Sequence, residues 1–320
     1  MINESTVQKI ESFNVNGAYT YVDKNNKEVY CPHVNGLVSI LFAELGNSEK
    51  SSKILDSLIS SQIYHEENGL FYRQATTDGN IVAPYFNVCK NSIMALAFYA
   101  SGRKEEALKI MRTLKSSPAF DKNSGLFYRE YKDETHNPLI VTQTNLWAAL
   151  AYAKLGYASY ADEIMRSLEL KKQDRFNRDL FRSPNCEDID SVEEFHADDQ
   201  ALAAIVYKTL GHEHKARFIL NRLIESPMYD PFTGLYSRSW LYEKVDETKS
   251  TYKNALIGLA FAKLGFSKEL NRLRKSLVDV LYDKDAGLFS MSDTNPEKIP
   301  DNSALAVMAL DYERLKHIVF

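Results

Sequence analysis

Eight consecutive residues, Glu193-Glu194-Phe195-His196-Ala197-Asp198-Asp199-Gln200, crowd four carboxylates and a histidine around one helix start. Adjacent carboxyls raise each other's pKa, and a carboxyl that keeps its proton near neutral pH is what a general acid requires. Asp198 and Asp199 are therefore candidate acids. Asp301, at a later helix start, is the candidate base or water activator, and Lys253 falls between them in the chain. A lysine set among acids holds one ionised while another stays protonated. Glycoside hydrolysis uses such a pair, ~5 Å apart for retention or ~6.5–9.5 Å for inversion. Two structural readings compete. A helix N-terminus favours anions by ~0.3–1 kcal/mol, so Asp198 and Asp199 would also serve as N-cap and first-turn acid. An Asp199–Lys253–Asp301 ion network is the other.

A repeat must position these residues. Gly-Leu-Phe-Tyr-Arg at Gly69 to Arg73 returns at Gly125 to Arg129, with weaker copies at Gly234 and Gly287, Asp179-Leu-Phe-Arg between, and Gly17-Ala-Tyr as a degenerate first copy. The intervals of 52, 56, 54, 55 and 53 residues divide the chain into six units, each burying its apolar face against its neighbours. In the third unit, Lys104 to Lys115 carries the narrow apolar stripe of a helix with one wet face, whereas Thr144 to Leu155 is apolar nearly all round and closes on Gly156. One helix per unit is therefore outer and one inner. The expected fold is an all-α, single-domain (α/α)6 toroid over residues 1–320; an open solenoid would need polar caps at both ends, and a first unit truncated before Gly17 with a stop after the sixth inner helix favours ring closure.

Anchored on Gly46, Gly102, Gly156, Gly211 and Gly265, the inner helices align Asn35, Asn91, Asn145, Gln200 and Asn254, with Asn302 in the sixth. A residue type present in every copy serves the scaffold, so this amide ring reads first as structural and second as a polar floor for a ligand. One position earlier stand Val34, Lys90, Thr144, Asp199, Lys253 and Asp301; two earlier stand His33, Cys89, Gln143, Asp198, Tyr252 and Pro300. The inner-helix starts gather at one end of a central funnel. His33, Lys90, Gln143, His196, Gln200, Tyr252 and Lys253 are therefore the candidate substrate-binding residues, suited to a small polar or anionic ligand such as a sugar.

Weaker constellations surround these. Cys31, His33, Cys89 and His196 fall near the same end and include zinc-ligand types, but lack the paired close spacing of a zinc site, so no metal or other cofactor is expected. Tyr30, Tyr85, Phe86, Phe195 and Tyr252 offer stacking faces, with packing the commoner use. Arg73, Arg129 and Arg238 recur at the motif end, and recurrence favours scaffold ion pairs over anion binding. A net charge of −4 without like-charge blocks excludes a nucleic-acid footprint, and no 18-residue apolar run suggests a membrane span. Glu4, Lys9 and Glu11 leave no apolar signal region, and three cysteines are an odd count, so a cytoplasmic, reduced protein is expected.

The pattern of outer helix, Asp-x-x-x-Gly-Leu-Phe/Tyr (Asp121 to Phe127, Asp230 to Tyr236), loop and apolar inner helix resembles the six-hairpin glycosidases, in particular unsaturated uronyl hydrolases and N-acylglucosamine 2-epimerases. In uronyl hydrolases aspartates at inner-helix starts protonate substrate and activate water, which implies that role for Asp198, Asp199 and Asp301. A second resemblance is to class II terpene cyclases and prenyltransferase β subunits. Their Asp-x-Asp-Asp acid is matched at three of four positions by His196-Ala-Asp198-Asp199, which would make Asp198 the proton donor to an isoprenoid. Their Gln-Trp repeats are missing. The sugar enzyme is the leading expectation. The alternatives are the cyclase and a non-catalytic toroid that binds a peptide or protein partner.

Overall fold

The structure is a computed structural model that describes residues 2–22, 27–172, 179–183, 194–241 and 244–320. Cys186 and Glu193 lie outside the described residues. Six inner helices, α2 (Pro32–Glu44), α4 (Val88–Ala100), α6 (Thr142–Lys154), α8 (Ala197–Thr209), α10 (Thr251–Leu264) and α12 (Pro300–Leu310), are buried along most of their length. Outside them stand α1 (Ile2–Glu11), α3 (Ser48–Ile59), α5 (Lys104–Ser116), α7 (Ala158–Lys172), α9 (Glu213–Glu225) and α11 (Ser267–Ser276). Each inner helix packs on the next, and α12 packs on α2, so the ring closes. The first outer helix lies against the last inner one, which completes six hairpins. This is the (α/α)6 toroid.

The motif glycines do one thing in each unit. Gly69, Gly125, Gly234 and Gly287 all have φ between 69° and 75°, and Asp179 takes the same left-handed conformation at 52°. That turn folds a two-residue hairpin, as in Tyr64–His65 against Leu70–Phe71 and Phe120–Asp121 against Leu126–Phe127. At the inner-helix ends, Gly211 (φ 84°) has open space around its missing Cβ, whereas a Cβ on Gly234 would meet Arg272 Nε and Ser276 Oγ at 2.9 Å. Gly211→Ala should therefore cost only left-handed backbone strain, about 1–2 kcal/mol. Gly234→Ala adds a clash and should lower the urea midpoint further; equal losses would refute the distinction.

The amide ring is a set of clamps. Asn35, Asn91, Asn145, Gln200 and Asn254 each accept from one motif backbone N–H and donate to the same residue's carbonyl, at Tyr19, Phe71, Phe127, Phe181 and Tyr236. Each also donates to the carbonyl four residues back in its own helix. The sixth unit departs from the expected register. Ser303 Oγ, not Asn302, accepts from Phe289 N, at 3.1 Å. Ser303 is the fourth residue of α12, as the amides are of their helices, so Asp301 is the second residue and aligns with Asp198 rather than Asp199.

At the far end the chain returns to the axis. Glu44, the last residue of α2, accepts from Ile318 N and Val319 N, and Lys154 Nζ donates to Ile318 O at 2.8 Å. Phe320, 1% exposed, meets the Trp147 ring edge-on with centroids 6.3 Å apart. The toroid is thus plugged opposite its inner-helix starts.

Candidate active site

The inner-helix starts and the loops above them enclose a cavity of about 1090 Å³. Two complete rings of equivalent positions line it, joined by the third helix residue in five units, Val34, Lys90, Thr144, Lys253 and Asn302. The second residue of each inner helix gives His33, Cys89, Gln143, Asp198, Tyr252 and Asp301. The residue four after each motif glycine, or after Asp179 in the fourth unit, gives Tyr21, Arg73, Arg129, Ser183, Arg238 and Met291. The scaffold therefore presents twelve equivalent wall positions, and their side chains differ from unit to unit. Of the aromatics expected near the funnel, only Tyr252 lines it; Phe86 and Phe195 are core, and Tyr85 is exposed.

The acidic helix start divides into two unlike carboxyls. Asp198 faces the cavity, 1% exposed, accepts 2.6 Å from Gln143 Nε2 and pairs with Lys253 Nζ. Burial pushes its pKa up, but the Lys253 charge, His196 and the Lys253 hydrogen bond outweigh burial and hold it below the usual carboxylate value. Asp199 is fully buried, does not line the cavity, and neither carboxyl oxygen has a hydrogen-bond partner among the described residues. Burial first and the Asp198 charge second lift it to about 7. The N-cap of α8 is His196, and no side chain caps there, so neither aspartate is the capping residue. Lys253 pairs with Asp198, not with Asp199 or Asp301, which replaces the expected three-member network.

Asp301 sits two helices away in the same ring, 5% exposed, with one oxygen accepting from Asn302 N at 2.9 Å. Burial raises it to about 6 against the opposing pull of two backbone hydrogen bonds and Lys90. His33 Nε2 lies 3.7 Å from it. Desolvation, Lys90 and Arg73 push His33 well below its ordinary value, so at neutral pH this contact is a neutral imidazole beside a carboxyl. His196 Nε2 is 2.9 Å from Glu194 Oε1 at the cavity wall.

Lys90 lines the cavity with Nζ 3.3 Å from Arg73 O and 3.5 Å from Cys31 Sγ. Gln200 does not line it, because its polar atoms are committed to Phe181 and His196. Among the described residues no three His, Cys, Asp or Glu side chains converge as metal ligands would, so Cys31, His33, Cys89 and His196 form no such group. No described helix is long and apolar enough to cross a membrane. Of the motif arginines, Arg73 and Arg238 make the expected ion pairs, with Glu130 at 3.4 Å and Asp246 at 3.8 Å, and all three also line the cavity.

No protein-family model matches the chain, and no curated protein matches its sequence. Solved structures do match its fold. A cellobiose 2-epimerase from Bacillus thermoamylovorans superposes with TM-score 0.77 at 12% identity, covering 97% of this chain and 99% of that one. A D-mannose isomerase gives 0.78 at 13%, covering 98% and 96%. A GH76 alpha-mannanase from Bacteroides thetaiotaomicron gives 0.72 at 15%, covering 98% and 95%. At such identities the likeness establishes the architecture, that of the six-hairpin (α/α)6 enzymes, over the whole length.

Proposed function

We propose that this chain is a carbohydrate-active enzyme whose general acid is Asp301 and whose general base is Asp198. One observation carries the reading. Two carboxyls occupy the same ring of cavity positions, and their surroundings push their pKa values in opposite directions. Such divergence marks an acid and a base. It reverses the roles expected from sequence, where Asp301 was the base, and it leaves Asp199 behind the wall as a buried neighbour of Asp198. The fold neighbours support a sugar as ligand, being an epimerase, an isomerase and a mannanase. The charged wall disfavours an isoprenoid, whose cavity would be largely apolar.

Inversion requires two such carboxyls ~6.5–9.5 Å apart with a water between them. Asp198 would take a proton from that water as its oxygen attacks the anomeric carbon. Asp301 would protonate the departing oxygen as the carbon–oxygen bond breaks. The same pair suits isomerisation, with Asp198 removing a proton beside a carbonyl and Asp301 protonating the carbonyl oxygen.

The test is isotopic. The protein is incubated with neutral, uronic and phosphorylated mono- and disaccharides in H₂¹⁸O and in D₂O. Oxygen-18 at the anomeric carbon of a sugar newly released from a disaccharide, above an enzyme-free control, indicates hydrolysis, and deuterium on carbon above that control indicates epimerisation or isomerisation. No isotope in any sugar sinks the reading. With the turned-over sugar, kcat/KM should fall above pH about 6 as Asp301 ionises. Lys253→Met should move the acid limb upward, because Asp198 loses its cation; an unmoved limb would assign that limb to another group.

A further inference from the structure

Resting on that reading, we infer that the sugar carries an oxyanionic substituent, a phosphate or a carboxylate, and that Arg129, Lys90 and Arg73 form its binding subsite. All three line the cavity. Their backbones converge on the start of α4: Val88 N donates to Arg129 O at 3.0 Å, and Lys90 Nζ donates to Arg73 O at 3.3 Å. In the closed ring α4 lies opposite α10, which stands between the helices of Asp198 and Asp301. The cations therefore face the carboxyl pair across the funnel.

Their pairing is incomplete. Arg73 has one 3.4 Å contact with Glu130, a carboxylate that Asn87 also approaches at 3.5 Å. Among the described residues neither Lys90 nor Arg129 has a carboxylate within ion-pair distance. Three cations against one carboxylate leave two positive charges beside a recessed cavity, where solvent screens them weakly. The field reaches further: Lys90 and Arg73 both help to keep His33 unprotonated. A scaffold network would have been neutralised. Arginine and lysine left facing a cavity suit an oxyanion, with the guanidinium fork matching phosphate or carboxylate geometry. Two uncompensated charges favour the dianionic phosphate.

Calorimetric titration tests this without turnover. The probes are glucose, glucuronate, glucose 6-phosphate and inorganic phosphate, at low and high salt. The charged sugars should bind at least tenfold tighter than glucose, with salt weakening only the charged probes. Arg129→Gln and Lys90→Met should each lose ~10–100-fold for the charged sugars, with Arg129→Lys recovering part. Preference for glucose 6-phosphate identifies phosphate, and preference for glucuronate identifies carboxylate. Glucose binding as tightly as either, or both variants binding anions like wild type, overturns the inference. Asp301→Asn should retain anion binding. Isotope entering a neutral sugar with no anion bound would leave the enzymatic reading standing alone; anion binding with no isotope in any sugar would do the reverse.

Discussion

Asp301→Asn should cut kcat by ~10²–10⁴-fold, the usual contribution of a positioned general acid, while leaving sugar affinity nearly unchanged. It should also abolish the alkaline limb near pH 6, since the group that titrates there is gone. The same variant has a stability signature of opposite sense. A carboxyl raised in the folded state contributes stability that is full below its unfolded pKa and is lost as pH rises through the folded value. For a shift from 3.8 to about 6, ionised Asp301 costs the wild type about 3 kcal/mol at pH 8. The asparagine variant should thus melt higher than wild type at pH 8 and close to it at pH 4. Catalytic loss with higher alkaline stability is hard to produce by misfolding. Unchanged turnover would remove Asp301 from the chemistry.

Asn145→Ala should be strongly destabilising, as should the same change in any of the other amide clamps. It strands Phe127 N–H and C=O, in a region where Phe127 and Asn145 are fully buried, while Val141 C=O keeps its bond from the residue 145 backbone N–H. Each buried polar group left without its partner costs ~1–3 kcal/mol, so a loss of roughly 2–6 kcal/mol is expected. That is a large share of the ~5–15 kcal/mol by which folded proteins exceed their unfolded chains. Ser303→Ala is the internal comparison, because Ser303 makes a single such bond, to Phe289 N. Its chemical-denaturation loss should be about half as large. Equal losses would mean that the clamps are not what joins the motif hairpins to the inner helices.

The toroid was legible because its determinants are local and recur round the ring: left-handed turns, all-round apolar helices and, in five of the six units, a fixed amide. The wall was less legible. The inner helices begin two residues earlier than their apolar runs suggest, as Thr142 does before Thr144, so the second residue of every inner helix also faces the funnel. In the sixth unit no glycine anchors the alignment, and serine does the amide's work one position later. That moved Asp301 into the ring of Asp198, a change of partners that only packing could disclose. The opposite titration of Asp198 and Asp301 depends on Lys253 reaching one and not the other, and side-chain reach is not written in spacing.

The tail that carries Phe320 onto Trp147 makes the funnel a blind cup rather than a tunnel. A polysaccharide cannot thread it, and whatever enters must leave by the same mouth. On the reading proposed above, only the part of a sugar that reaches in through that mouth could meet Asp198 and Asp301.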